Sequence, residues 1–456
     1  MDISAPTGGH VVELKNRAIV GAIWAVGGMG LGQIIRFVSN VILTRLLYPE
    51  LFGMMQLVTV LLVGLTLFSD LGIAPSIVRS PRGEATAFRR TAWTMHVIRG
   101  AFLCVIVLAI ASPASRIYKQ PSLMAVMIAC SFLPLAQGLG GTAQYVYQRR
   151  MLVRQLVIQD IVISIVATCV TVVWAMLKPS IWALVAGQLS GSILTLVWSH
   201  LMTRDHRESL QLEKAAMKEM FHFGLWIFIS TAFTYLGEHA DRLVLGKLLT
   251  LKTFGVFAIA VNLSELPRQI IGSVSNRVIF PVMSEISTRP RAEMRAIITR
   301  SRKVVLYLTA LGMSVLASFG DIAVGFIYDS RYAAARWMFA ILLYRVWFGI
   351  LMQTSDPALM AIGKPVYASI GNAGRAISNF FVLPLAFALY GISGVIVGLV
   401  IKDVLYYCVI VWGLRRESLS VFRQDVVATA IVIMTTSMMM TFRYLMGFNT
   451  PFSGMT

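Results

Sequence analysis

Sixteen charged side chains fall inside long apolar stretches of this sequence, and they are the residues best placed to do chemistry. Nine are cations: Arg36, Arg99, Arg242, Arg268, Arg277, Arg345, Arg375, Lys402 and Arg443. Seven are acids: Asp70, Asp160, Glu238, Asp241, Glu265, Asp356 and Asp403. A charge near the centre of a bilayer costs about 2.5–3.5 kcal/mol on insertion scales, so each needs a partner, water or a ligand. At about 1.5 Å per helical residue, Arg268, Arg345, Arg375 and Lys402 come near mid-membrane. Guanidinium stays charged when buried and offers forked donors, which suits phosphate-type anions. The expected chemistry is electrostatic recognition of an anion, with carboxylates serving as partners or as sites for a driving proton or sodium ion.

Helical spacing sorts these groups further. Arg375 shares a stripe with Gly371, Asn372, Ser378 and Asn379, and Arg36 shares one with Gly32, Gln33, Ser39 and Asn40. Both stripes are expected to face water in a cavity. Glu238 with Arg242 (i, i+4) and Glu265 with Arg268 (i, i+3) have ion-pair spacing. Arg268 also follows Pro267, and broken helices at mid-depth are where transporters place binding sites. Arg345 has only apolar residues at helical spacing, so its partner must come from another helix, with Asp403 or Glu265 as candidates, or from a ligand. The candidate substrate-binding cations are therefore Arg268, Arg375, Arg345, Arg36, Lys402 and Arg242. The candidate ion-coupling acids are Asp70, Asp241 and Glu265. Asp70 precedes Leu71, Gly72 and Pro75, where backbone carbonyls would be free to coordinate an ion, although the same element could simply end or bend a helix. Arg99 and Arg443 are expected to snorkel toward the interfaces.

The elements that must position these groups are transmembrane helices. Of 456 residues, 57% are hydrophobic and 13% charged, with mean hydropathy +0.74, which excludes an ordinary soluble fold. Thirteen apolar stretches of spanning length lie between residues 18 and 447. The net charge of +19 is mostly topological. If the N-terminus is cytoplasmic, 23 of the 40 Lys and Arg fall in cytoplasmic segments and 8 on the opposite side. The first stretch has no cleavage site for a signal peptide and is expected to remain as a membrane anchor. A nucleic-acid role fails because the basic residues are split among short loops. Cys104, Cys130, Cys169 and Cys408 lie in apolar runs and read as buried small hydrophobes. There is no metal-ligand cluster, nucleotide-binding glycine loop or nucleophile arrangement, so neither a cofactor nor a catalytic residue is expected. His96, His222 and His239 are scattered singletons.

An internal repeat appears at an offset of 202 residues. It pairs Trp24 with Trp226 and superposes LTRLLYPELFG on LGKLLTLKTFG, with six identities and Arg45 on Lys247. Six helices per copy make the repeats parallel. The expected organisation is an N-terminal lobe over 1–203, a cytoplasmic link over 204–220, a C-terminal lobe over 221–413, and an extra helix with its tail over 414–456.

The opening LKNRAIVGAIWAVGGMGLGQIIRFVSNVILTRLLYPELFGMMQLV, the element FSDLGIAPSIVR and the run NRVIFPVMSEIS carry a family likeness that extends from about residue 12 to 415. In these motifs the chain resembles the polysaccharide flippases of O-antigen and exopolysaccharide synthesis, within the multidrug/oligosaccharidyl-lipid/polysaccharide exporter superfamily. The resemblance implies an all-helical fold of two six-helix lobes around a central cavity. It also implies a bacterial inner-membrane transporter that exports an oligosaccharide on a polyprenyl diphosphate by alternating access. Relatives usually have twelve or fourteen helices, whereas thirteen are read here.

The diphosphate of such a cargo would meet the central arginines, and Gln33, Asn40, Asn262, Asn276, Asn372 and Asn379 would offer partners to sugar hydroxyls. Lipids are the other expected partners, with polysaccharide polymerase machinery beside a monomeric transporter. A multidrug or cation exporter would favour an acidic cavity, against the apparent mid-depth surplus of cations. A membrane glycan polymerase or ligase would need longer outer loops than the short connections present.

Overall fold

The computed structural model describes residues 8–70, 72–202 and 208–452. Among them the secondary structure is helical throughout, with no strand. Buried backbone amides in lipid must be satisfied within a segment, and runs this apolar achieve that as helices. Among the described residues, ten helices are long and apolar enough to cross a membrane. One of them, Val366–Arg416, is two segments joined at Gly391, whose φ of 60° and ψ of −146° suit glycine alone. The two expected stretches outside those ten, 221–248 and 253–282, are also helical.

By its internal packing the chain divides into two compact units, residues 1–47 with 61–231 and residues 48–60 with 232–456. The first unit holds α1 (Gly8–Leu46), the end of α2 (Pro49–Phe68), α3 (Ile73–Arg79), α4 (Thr86–Ile117), α5 (Pro121–Cys130), α6 (Phe132–Leu139), α7 (Ala143–Arg149), α8 (Val153–Leu177), α9 (Ile181–Leu201) and the start of α10 (Lys214–Leu248). Here α8 packs on α1 and α9, and α4 on α5 and α6. The break between α2 and α3 has a local cause: Asp70 Oδ1 accepts the Gly72 amide at 2.9 Å. Arg99 covers the same break, donating to Ser69 Oγ at 3.0 Å and to the Thr66 carbonyl at 2.6 Å. Arg99 therefore does not snorkel; it clasps the last turn of α2 through one carbonyl and one hydroxyl.

The second unit holds the start of α2, the end of α10, α11 (Leu251–Ser264), α12 (Leu266–Val274), a π-helical turn (Ser275–Ile279), α13 (Phe280–Glu285), α14 (Arg291–Ile327), α15 (Ala335–Ala361), α16 (Val366–Arg416) and α17 (Phe422–Leu445). Its centre is α15, the most buried spanning helix, against which α11, α12, α14 and α16 pack. The helix breaks at Glu265, just before Pro267, and again at the π turn before Pro281, so the sequence segment 253–282 is three short helices. Gly53 and Gly255, the two glycines matched by the repeat, face each other. A Cβ on Gly53 would lie 2.2 Å from the Leu251 carbonyl oxygen, and one on Gly255 would lie 1.8 Å from that of Pro49. Only glycine lets these two helix starts approach so closely. The side chain of Trp226, the other repeat marker, lies outside the described residues, as do Leu71 of the SDLGIA element and the Arg277 side chain.

Candidate functional site

The mid-depth charges of the second unit converge on one ionic network. Arg345 comes from the buried face of α15 and donates from Nε to Asp403 Oδ2 at 3.0 Å. Its Nη2 lies 3.8 Å from Glu265 and 4.0 Å from Asp241. Arg375 projects from the first half of α16 to the second half, placing Nε 2.9 Å from Asp403 Oδ1. Glu238 approaches Arg375 at 3.9 Å, and the guanidinium lies 4.0 Å over the ring of Tyr406. Lys402 donates to Asn379 Oδ1 at 2.9 Å and to Asp241 Oδ2 at 3.3 Å. Asn379 is itself fixed by the carbonyl of Leu236 at 3.0 Å. At the helix break, Arg268 Nε donates to Glu265 Oε2 at 2.6 Å.

Four cations thus face four carboxylates: Arg268, Arg345, Arg375 and Lys402 against Glu238, Asp241, Glu265 and Asp403. The cation surplus inferred from Glu265 and Asp403 alone disappears once Asp241 and Glu238 are placed. The network has a dry end and a wetter one. Lys402, Asp403 and Asp241 are 1–2% exposed, whereas the side chain of Arg268 is 25% exposed and that of Glu238 is 39% exposed. Desolvating ions is costly unless opposite charges are close at hand, and at the dry end each carboxylate has a cation within 3.3 Å, although Asp403 Oδ1 and Arg375 Nε meet without hydrogen-bond geometry.

Several expectations change. The Arg375 stripe does not face water: Gly371, Arg375, Ser378 and Asn379 are all buried, because the returning half of α16 covers them with Lys402, Asp403 and Tyr406. Glu238 meets Arg375, while Arg242 turns to His239 Nδ1 at 3.3 Å in place of the expected i, i+4 pairing. Asp241 already holds a resident cation in Lys402, and Glu265 lies between Arg268 and Arg345. Arg36 is exposed on α1 in the first unit, its guanidinium over Gly32, and takes no part in the network. Asp70 holds its turn through the Gly72 amide.

Other functional-looking groups were not legible. Arg302, assigned by sequence to a cytoplasmic loop, is fully buried. It donates to Asp425 Oδ1 at 2.9 Å and to Thr354 Oγ1 at 2.9 Å, and Tyr407 donates to the other oxygen of Asp425. Arg443 does not snorkel either; it forms a buried two-pronged pair with Asp321 at 2.5 and 2.7 Å. In the first unit His96 and Arg99 line a cavity of about 200 Å³ with Gln137, Gln144 and Tyr145, and His96 stacks on Tyr145. Arg302 and Asp425 lie 123 positions apart and Arg443 and Asp321 lie 122 apart, beyond any helical periodicity.

The chain matches the family described as polysaccharide biosynthesis protein over residues 42–336. It is 23% identical over 283 residues to the lipopolysaccharide biosynthesis protein WzxC of Escherichia coli (strain K12), which covers 60% of this chain and 56% of WzxC. It is 22% identical over 334 residues to the succinoglycan biosynthesis transport protein ExoT of Rhizobium meliloti (strain 1021), covering 72% and 66%. The matched part therefore spans between about half and two thirds of these relatives. Among solved structures, the lipid II flippase MurJ in an inward closed conformation superposes with a TM-score of 0.73 at 14% identity, covering 94% of this chain and 93% of MurJ. An inward-facing multidrug resistance MATE transporter of the MOP superfamily superposes with a TM-score of 0.61 at 13% identity, covering 87% and 98%. These likenesses establish the fold, and the extent of the family match establishes membership: this multi-pass membrane protein belongs to the polysaccharide biosynthesis protein family.

Proposed function

We propose that the chain is a transporter of the bacterial inner membrane that moves a polyprenyl-diphosphate-linked oligosaccharide from the cytoplasmic to the outer leaflet, without covalent chemistry. The family match and the names of its relatives support this reading. The single structural observation that carries the proposed mechanism is the ionic network of the second unit, balanced as a whole, buried at Lys402, Asp403 and Asp241 and accessible at Arg268 and Glu238.

A diphosphate cannot enter hydrocarbon bare, and a guanidinium already committed to a carboxylate can release it for a better acceptor. The diphosphate would displace Glu265 from Arg268 and from the edge of Arg345. Arg268 is the contact residue in this scheme. Arg345, Arg375, Lys402, Asp241 and Asp403 hold it in position, Arg242 of the same unit is a secondary contact, and Arg36 is a separate candidate contact in the first unit. The expected topology keeps the N-terminus cytoplasmic, with the prenyl tail left in lipid.

The test is complementation of a strain that lacks its own flippase and so makes no capsule or exopolysaccharide. Wild-type protein is expected to restore surface glycan, Arg268→Ala to abolish it with the protein present in the membrane, and Arg268→Lys to restore it only in part. Normal export by Arg268→Ala would remove the site assignment. Restoration of glycan in cells without a polyprenyl carrier would remove the cargo class.

A further inference from the structure

Two cation-rich stretches that the sequence assigns to separate connections, 289–303 and 415–423, meet in the second unit. The start of α14, the last turn of α16, the connection after it and the first residues of α17 enclose a cavity of about 500 Å³. Arg295, Arg415 and Arg423 line it, together with Thr299, Ser420 and Gln424. Topological bias explains why cations lie on one face of a membrane protein. It does not by itself gather three of them, all exposed, around a single hollow.

The surrounding carboxylates are engaged elsewhere: Glu293 with Arg289, Asp425 with Arg302 and Tyr407, and Glu417 with the hydroxyl of Tyr367. Among the described residues none of the three guanidiniums forms an ion pair. The walls are also ordered. Arg415 lies 4.5 Å over the ring of Phe422, and Gln424 Nε2 donates to the Thr299 carbonyl at 2.9 Å. A guanidinium laid flat on a ring keeps its N–H edge available.

We propose that this pocket binds a phosphate-bearing anion. A tetrahedral, multiply charged acceptor takes forked hydrogen bonds from the guanidiniums around the hollow, and the Ser420 hydroxyl adds a further donor. The phosphate group has two sources, the headgroup of an anionic phospholipid at the rim of the bilayer or a soluble phosphate. The site lies on helix ends, apart from the Arg268 network, and does not depend on the transport reading.

The experiment is native mass spectrometry of the delipidated full chain titrated with phosphatidylglycerol or phosphatidylcholine, and, in a separate arm, thermal shift with inorganic pyrophosphate. The variants are Arg295→Ala/Arg415→Ala/Arg423→Ala and a charge-matched control from the same face, Arg289→Ala/Arg300→Ala/Lys303→Ala. Each pocket arginine is worth about a fivefold change in affinity, corresponding to ~1 kcal/mol for a basic residue at the membrane surface. The pocket variant is expected to lose phosphatidylglycerol retention, or pyrophosphate stabilisation, by on the order of 100-fold, while the control retains it. Loss in the lipid arm identifies a headgroup, and loss in the other arm a soluble phosphate. Equal losses in the two variants, or binding of neither probe by wild-type protein, would overturn the proposal. Size-exclusion profiles and unfolding temperatures of both variants establish that each is folded.

Discussion

Replacing Asp403 by Asn removes one carboxylate oxygen's charge from a site that two guanidiniums share. Asp403 is 1% exposed and holds Arg345 at 3.0 Å and Arg375 at 2.9 Å. The substitution leaves four cations facing three carboxylates. Breaking a buried pair by removing one partner costs about 3–5 kcal/mol, because the remaining charge is uncompensated. Domains hold only about 5–15 kcal/mol in total, so Asp403→Asn is expected to lower the unfolding temperature by on the order of 5–10 °C. Arg375→Gln added to Asp403→Asn restores neutrality, since Arg345 keeps Glu265 and Asp241 within 4.0 Å. The double variant should therefore recover at least half of the loss, a coupling of about 1.5–3 kcal/mol. The assay is thermal unfolding of detergent-solubilised protein followed by intrinsic fluorescence, with both single variants and the double variant in parallel. An Asp403→Asn protein within about 1 °C of wild type, or a double variant that loses the sum of both single effects, would refute a charge-balanced interior.

Three further outcomes are expected. Gly53→Val or Gly255→Val places side-chain atoms into backbone oxygens 2.2 and 1.8 Å from the new Cβ, a cost of at least about 1–3 kcal/mol. Membrane-inserted yield should fall, whereas Gly312→Ala, whose Cβ would meet nothing within 4 Å, should be neutral. Arg302→Met should destabilise by about 3–5 kcal/mol through the orphaned Asp425, and Arg302→Met/Asp425→Leu should be milder, read by the same unfolding assay. In the loop after α3, Arg150 hydrogen-bonds Glu84 and holds its carboxyl below the ordinary carboxylate range. A depressed folded-state pKa gives stability that is present above the unfolded value and lost as pH falls through the folded one. Because this pair is largely exposed, Glu84→Gln should cost only about 0.2–1 kcal/mol at pH 7, and the difference from wild type should vanish in acid.

The helices were legible in the sequence because hydropathy over about 20 residues is a local property. The break at Pro267 was legible too, since proline removes a donor at a known position. The partners of the buried charges were only half legible. Arg345 found Asp403 and Glu265, which an apolar helical neighbourhood had required from other helices. For Arg375 the polar stripe was correctly seen, but its exposure was not. Whether a stripe faces water or another helix depends on how α16 turns back at Gly391, which periodicity along one helix does not encode. Arg302 and Arg443 were misplaced for the same reason, because a cation near the end of a stretch looks topological until a distant Asp425 or Asp321 is brought against it. The His96 and Arg99 cavity carries no sequence signal, since its lining comes from five separate helices.

The most direct measurement is the affinity of purified protein for a polyprenyl-diphosphate-linked glycan, compared between wild type, Arg268→Ala and Glu265→Gln. If the diphosphate displaces Glu265 from Arg268, Glu265→Gln, which leaves that guanidinium without its resident carboxylate, binds more tightly than wild type. Arg268→Ala then binds at least about tenfold more weakly, the share of one charge-assisted hydrogen bond. Equal affinities for wild type and Arg268→Ala would contradict the exchange of carboxylate for diphosphate.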